Sequence, residues 1–227
     1  MKLRKIIAAL LICVCAFIVF SSCGSDDACA YASDRKIKGR DISYVEMSVK
    51  DYGKVVILLD ATTAPITVEN FLKLVNEGFY NGLTFHRIIK DFMIQGGDPD
   101  GNGTGGSKDN IVGEFASNGY NNDISHIRGV ISMARSNDPD SASSQFFICN
   151  ADAADSLDGN YAAFGYVVKG MGVIDKITED VFPKTAYAEY YGTAYHQYWA
   201  YYGNGAIEND ADKPVIEYIK VLDNYKH

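Results

Sequence analysis

From Tyr44 onward, short apolar runs alternate with polar breaks. "YVEMSVKDYGKVVILLD" (Tyr44–Asp60) reads as two strands joined by a turn at "DYG". "APITVENFLKLVNEGFYNG" places Val68, Phe71, Leu72 and Val75 at helical spacing behind Pro65 and stops at Gly78, so the spacing predicts a helix. "LTFHRII", "FMIQGG", "GVISMAR", "SQFFICN", "YAAFGYVV" and "PVIEYIKVL" are strand-like, and "GMGVIDKI" is a short helix. Many short strands with two helices predict a mainly β fold, a closed barrel capped by helices. No tandem repeat interrupts it.

A second pattern precedes the last strand. In "AYAEYYGTAYHQYWAYYGNG", Tyr187, Tyr191, Tyr195, Tyr198 and Tyr202 fall on one helical face that ends at Gly203–Gly205. The stretch is an insertion of about 180–213. It reads as a helix packed on the barrel, or as an aromatic surface for a peptide, partner or glycan.

The N-terminus is a targeting segment. Basic "MKLRK" precedes the apolar run "IIAALLICVCAFIVF", short for a span that needs ~20 residues. It closes on "FSSC", a lipobox-like end with Phe20 at a position where Leu is more usual. Residues 1–22 are therefore expected to be a lipoprotein signal peptide, with lipid on Cys23. An ordinary secretory signal with an incidental cysteine, or an uncleaved anchor, is the alternative. Residues 23–43 are small, polar and aperiodic, a tether to the folded domain at 44–227. The expected location is extracytoplasmic, anchored to a bacterial membrane. Cys13 and Cys15 leave with the signal, and Cys29 and Cys149 do not make a disulfide framework.

Formal net charge is -8, with no basic stripe interleaved with aromatics, which argues against nucleic acid as a partner.

The chemistry concentrates around Arg87, a guanidinium in a run that otherwise asks to be buried. Strand alternation puts Arg87 on a face with Phe85 and Ile89, opposite His86 and Ile88. It pairs Met93 with Gln95, and Gln145 with Phe147, leaving Phe146 and Ile148 on the other side. If these strands are neighbours, Arg87, Gln95 and Gln145 rim an apolar hollow floored by Met93 and Phe147, the composition of a peptide or small-ligand pocket. The competing reading is an ion pair between Arg87 and an acid of "GGDPD". Asp98, Asp100, Asn102, Gly103 and Asp109 match loop positions of a calcium-binding EF-hand. A strand precedes them, no helix flanks them, and no glutamate closes the loop, so no metal is expected. The histidines show no ligand spacing, and His86 reads as a satisfied core residue.

"FHRIIKDFMIQGGD", "NGTGG", "GVISMAR", "SSQFFICNA", "LDGNYAAFG" and "GMGVIDKI" stand in the order and rough spacing of the cyclophilin family of peptidyl-prolyl isomerases. The chain resembles that family over about Tyr44–Ile177 and the last strand. The resemblance implies an eight-stranded antiparallel barrel with two capping helices and a site on its outer face. It implies catalysis of X–Pro bond rotation without cofactor, on proline-containing peptides and unfolded or surface proteins. It assigns the catalytic arginine to Arg87, and the proline pocket to Phe92, Met93, Phe147 and Leu157. Peptide-backbone contacts fall on Gln95, Ala134 and Arg135, supported by Gln145. Two positions depart from the pattern. Ser156 replaces a common Trp before "LDG", and Tyr161 replaces a common His while keeping an aromatic wall. The Ser156 departure implies weak sensitivity to the cyclic peptide cyclosporin. A proline-peptide binding module with little or no catalysis is the rival reading, and a scaffold acting through the tyrosine-rich insertion is a third.

Overall fold

The computed structural model describes residues 39–182, 204–223 and 225. The signal segment, Cys23, Cys29, most of the expected tether and the five tyrosines of the insertion lie outside the described residues.

The chain opens with strands β1 (Ile42–Val49) and β2 (Gly53–Asp60), then helix α1 (Pro65–Asn76). Strands β3 (Thr84–Ile89), β4 (Met93–Asp98), β5 (Val130–Met133) and β6 (Phe146–Cys149) follow. A one-turn helix α2 (Ala154–Leu157), β7 (Ala163–Lys169), helix α3 (Met171–Val181) and β8 (Ile216–Val221) complete the described elements. The domain begins before Tyr44. Asp41 accepts a backbone bond from Ala61 (2.9 Å), and Arg40 pairs with Asp60 at 2.5 Å. The tether boundary expected at residue 43 therefore moves back to at least Arg40.

All eight strands join one antiparallel sheet in the order β3-β4-β6-β5-β7-β2-β1-β8. The two end strands meet at a single bridge, Thr84↔Val215, flanked by Phe85 N–H to Pro214 O (2.9 Å) and Ile216 N–H to Leu83 O (2.8 Å). The sheet is thus a strongly curled half-barrel. Where a fully closed barrel was expected, the seam between β3 and β8 is a local contact and not a strand ladder.

The curl is filled from both ends. Helix α1 buries Thr67, Val68, Phe71, Leu74 and Val75. The Phe71 ring lies 5.0–5.7 Å from those of Tyr80, Phe146 and Phe164, and each fully buried ring of this kind contributes roughly 1.5–3 kcal/mol. Ala64 offers α1 no side-chain cap. Buried Glu114 supplies one from 47 residues away, accepting from Thr67 N–H (2.8 Å) and Ile66 N–H (3.1 Å). Helix α3 adds Met171, Ile174, Ile177 and Val181 to the same core.

Candidate active site

Register places the expected site residues side by side. Arg87 of β3 is opposite Gln95 of β4, and Gln95 is opposite Phe147 of β6. Met93 lies between Ile89 and Cys149 in the next row along. The even and odd residues of β6 divide as expected. Phe146 and Ile148 enter the main core, whereas Phe147 and Cys149 join a separate cluster with Ile89, Met93, Ala153 and Leu157. Strand β3 does not keep strict alternation. Its pairing with β4 shifts on both sides of Phe85, so Phe85 turns into the main core with Ile88 while Ile89 joins the site cluster. Phe85 therefore does not share the face of Arg87, contrary to the simple period-two reading.

Arg87, Phe92, Met93, Gln95, Ala134, Arg135, Phe147, Ser156, Leu157 and Tyr161 line one cavity of about 320 Å³. Nine of these ten are the expected site residues, and Ser156 is the departure already noted. The apolar floor is Phe92, Met93, Phe147 and Leu157. Gln145, the remaining expected residue, lies behind the rim. It borders a second, polar cavity lined by Gly103–Ser107, Asn110, Ser136, Ser141 and Ser143. Gln95, Ala134 and Arg135 border both cavities.

A chain of amides ties the arginine to the glycine loop. Arg87 Nη1 donates to Gln95 Oε1 (3.2 Å), and Gln95 Nε2 donates to Gln145 Oε1 (2.8 Å). Gln145 Nε2 donates in turn to the carbonyls of Gly105 (2.7 Å) and Gly103 (3.1 Å). Each amide is thereby held in one orientation. Ala134 N–H is spent on Gln145 O (2.9 Å), which fixes the edge at Ala134–Arg135.

Arg87 has no carboxylate partner among the described residues. Its Nε donates to the backbone carbonyl of Asn204, and its Nη1 also touches Met93 Sδ. The expected alternative, an ion pair with the "GGDPD" loop, is not formed. Asp98 instead accepts from the backbone N–H of Asp100 (2.9 Å), Asn102 (3.0 Å) and Gly103. Those bonds hold its carboxyl below the usual range against the opposing effect of burial. The same bonds leave Asp98 organising its own loop, the role the calcium reading would have taken from it. Burial pulls the Arg87 guanidinium below its ordinary value, yet an arginine stays charged. The result is a cation bordering an apolar cavity, held by neutral groups only.

Several contacts that shape the site were not marked by the sequence. Arg135 stacks over Tyr161 (4.8 Å) and Phe115 (5.1 Å), and donates to Asn160 O at 2.9 Å. Its side chain thus clamps the Tyr161 wall, beyond any backbone contact the residue makes. Tyr161 meets Phe147 edge-on at 5.9 Å. Behind Phe147, at 6.0 Å and nearly parallel, is the His126 ring. Its Nδ1 bonds Asp158 (2.8 Å) and its Nε2 bonds Ser132 Oγ (3.0 Å). Burial lowers the His126 pKa, opposed by Asp158, so the imidazole acts as a packed, oriented backing for the floor. Asp158 belongs to the "LDG" motif, the one sequence signal that could have pointed to His126. His86 is buried as expected but unsatisfied, with neither ring nitrogen hydrogen-bonded among the described residues.

Among the described residues no activated nucleophile faces the cavity. Ser156 Oγ donates to its own helix carbonyl Ala153 O (3.0 Å), and burial pushes the Cys149 thiol up to about 12. The cavity can seat an apolar ring, hold flanking amides and present one guanidinium.

The family model described as "Cyclophilin type peptidyl-prolyl cis-trans isomerase/CLD" matches residues 44–189. The peptidyl-prolyl cis-trans isomerase A of Dickeya dadantii is 45% identical over 131 residues, which is 56% of this chain and 67% of that protein. A peptidyl-prolyl cis-trans isomerase of Helicobacter pylori is 40% identical over 154 residues, 64% of this chain and 91% of its relative. Among solved structures, a cyclophilin-type isomerase of Cryptosporidium parvum superposes with TM-score 0.64 at 26% identity, covering 82% of this chain and all of that one. The same parasite enzyme in the presence of the dipeptide Ala-Pro gives TM-score 0.63 at 27% identity, covering 80% of this chain and 99% of its own. With the fold, the row of Arg87, Gln95 and Phe147, and these relatives in agreement, the chain belongs to the cyclophilin-type peptidyl-prolyl cis-trans isomerases.

Proposed function

We propose that this isomerase acts on X–Pro bonds of proteins outside the cytoplasm, tethered by lipid on Cys23, with Arg87 as the catalytic residue. The observation that carries the catalytic part is Arg87 itself, a guanidinium on the wall of an apolar cavity with no carboxylate partner among the described residues. The relative recorded with Ala-Pro supports proline-containing peptides as the ligands of this cavity. The N-terminal "FSSC" end after an apolar run supports the lipid anchor.

The reaction needs little from the protein. The prolyl C–N bond is partly double, and rotation meets a barrier of ~18–20 kcal/mol. Uncatalysed exchange takes tens to hundreds of seconds. Reaching milliseconds requires removing about 7 kcal/mol, at roughly 1.4 kcal/mol per factor of ten. In the twisted transition state the prolyl nitrogen turns pyramidal and regains its lone pair. A hydrogen bond from Arg87 to that lone pair exists mainly in the transition state, which is the condition for lowering a barrier. Phe92, Met93, Phe147 and Leu157 grip the ring, Gln95 and the Ala134–Arg135 edge hold the flanking backbone, and the preceding carbonyl swings.

Exchange spectroscopy by NMR on a proline peptide tests this reading. Cross-peaks between the cis and trans forms are expected at catalytic amounts of protein. Ligand shifts without accelerated exchange would identify a binding module instead.

A further inference from the structure

Strand β3 ends the sheet, and beyond its bridge to the β8 end at Thr84 its outer edge faces no other strand of the sheet. The residues that follow the tyrosine-rich stretch occupy that edge at the level of Arg87. We propose that Asn204–Ile207 is a strap that positions the Arg87 guanidinium for catalysis, an inference that rests on the catalytic reading of Arg87.

Three hydrogen bonds build the strap, two of them making the backbone bridge. Arg87 and Ala206 form an antiparallel bridge. Ile88 N–H donates to Gly205 O (2.8 Å), and Ile207 N–H donates to His86 O (3.0 Å). The carbonyl of Asn204 accepts from Arg87 Nε. The Asn204 side chain closes the turn by accepting from Ala206 N–H at 2.9 Å, which sets the direction of that carbonyl. Ile207, 3% exposed, anchors the far end in the main core.

The strap matters because the other side of Arg87 is irregular. Arg87 pairs with Gln95, but the β3–β4 register shifts between Phe85 and Arg87, so the regular ladder supports this residue from its C-terminal side only. Of the five guanidinium N–H groups, Nε is fixed by the strap and Nη1 by Gln95. The fork is thereby locked at two points, and Nη2, which bonds none of the described residues, is left for the substrate. A hydrogen bond that must reach one lone pair in a transient geometry depends on such prior orientation.

Gly205 is the keystone. Its φ is +72°, and a Cβ there would lie 2.6 Å from Ile88 O and 2.5 Å from Ile89 Cγ1. Both the backbone shape and the close approach require glycine. Gly205→Ala must lift the strap from β3 and release the Asn204 carbonyl from Nε. Gly82 provides the control. Its φ is +83°, yet a Cβ would meet nothing within 4 Å, so Gly82→Ala carries the backbone strain without the collision.

The test measures kcat and KM of the full chain on one proline peptide. Gly205→Ala should lower kcat by about tenfold or more while KM stays within about twofold. Gly82→Ala should leave both near wild type. Asn204→Ala, which loosens the turn without a clash, should lower kcat by about threefold, and it serves if Gly205→Ala fails to fold. The same glycine substitution is then made on Arg87→Lys, which lacks the Nε–H. If the strap acts through Arg87, Gly205→Ala on that background changes the residual rate by less than about twofold. An unchanged kcat in both strap variants, or an equal loss on either background, overturns the strap and leaves the catalytic role of Arg87 intact. Full activity in Arg87→Lys itself overturns the catalytic reading, and the strap with it.

Discussion

His86 should make the domain acid-sensitive, and removing it should flatten that response. The residue is 4% exposed, and neither ring nitrogen has a hydrogen-bond partner among the described residues. Burial pushes its pKa down to about 4, with Lys213 and Arg87 adding to the fall and Asp98 opposing it. The unfolded chain takes up the proton near pH 6.5, before the folded one can. Between pH 6.5 and about 4 the unfolded state therefore binds more protons, and stability falls as pH falls. The gap amounts to about 3 kcal/mol at 1.36 kcal/mol per pH unit. His86→Leu removes the titration and two unpaired polar atoms, each of which costs roughly 1–3 kcal/mol when buried. Urea unfolding at pH 7.5, 6, 5 and 4 measures the difference. His86→Leu should be no less stable than wild type at pH 7.5 and should gain about 3 kcal/mol on it by pH 4. His126 titrates in both proteins and cancels in the subtraction. Parallel pH dependences for the two proteins would refute the reasoning.

Two further outcomes follow from the N-terminus and the cavity rim. Full-length protein should fractionate with membranes and take up labelled palmitate, and Cys23→Ser should do neither; one chain alone anchors only marginally, so the multiple acylation of a lipoprotein cysteine is required, and label on Cys23→Ser would exclude that residue as the attachment point. Ser156 borders the cavity with its hydroxyl turned back to Ala153, so it presents neither donor nor apolar area. The wild type should isomerise peptides yet bind cyclosporin weakly, and Ser156→Trp should tighten inhibition at least about tenfold, the scale of a buried aromatic anchor; nanomolar inhibition of wild type, or no gain in the variant, would exclude Ser156 as the determinant.

The parts of the fold that the sequence disclosed are those encoded locally. Alternation along "SQFFIC" separated Phe147 from Phe146, and helical spacing marked Val68, Phe71 and Val75 on α1. Motif order brought Arg87, Gln95 and Gln145 together, and the register of β3 and β4 sets Arg87 opposite Gln95, with Gln145 just ahead of β6 and bonded to Gln95. Phe85 was misplaced because a shift in pairing on β3 breaks the period of two, and nothing in "TFHRII" marks it. Glu114 and His126 stayed invisible for a different reason. Their roles depend on partners 47 and 32 residues away, Thr67 and Asp158, and no local pattern records such distances. Arg135 could be read as a backbone contact, but its clamp on Tyr161 needs Phe115 from another loop. His86 was expected to be satisfied because buried polar groups usually are. The fold instead buries both its nitrogens without partners among the described residues.

Arg87→Ala tests the central claim most directly. The side chain borders the cavity but leaves the apolar floor to Phe92, Met93, Phe147 and Leu157. Peptide affinity should therefore change by no more than a few-fold, while kcat falls by about a hundredfold or more. Titration and exchange rates measured by NMR on one proline peptide give both quantities from the same sample. A parallel loss of affinity and turnover would make Arg87 a ground-state contact and contradict the transition-state role.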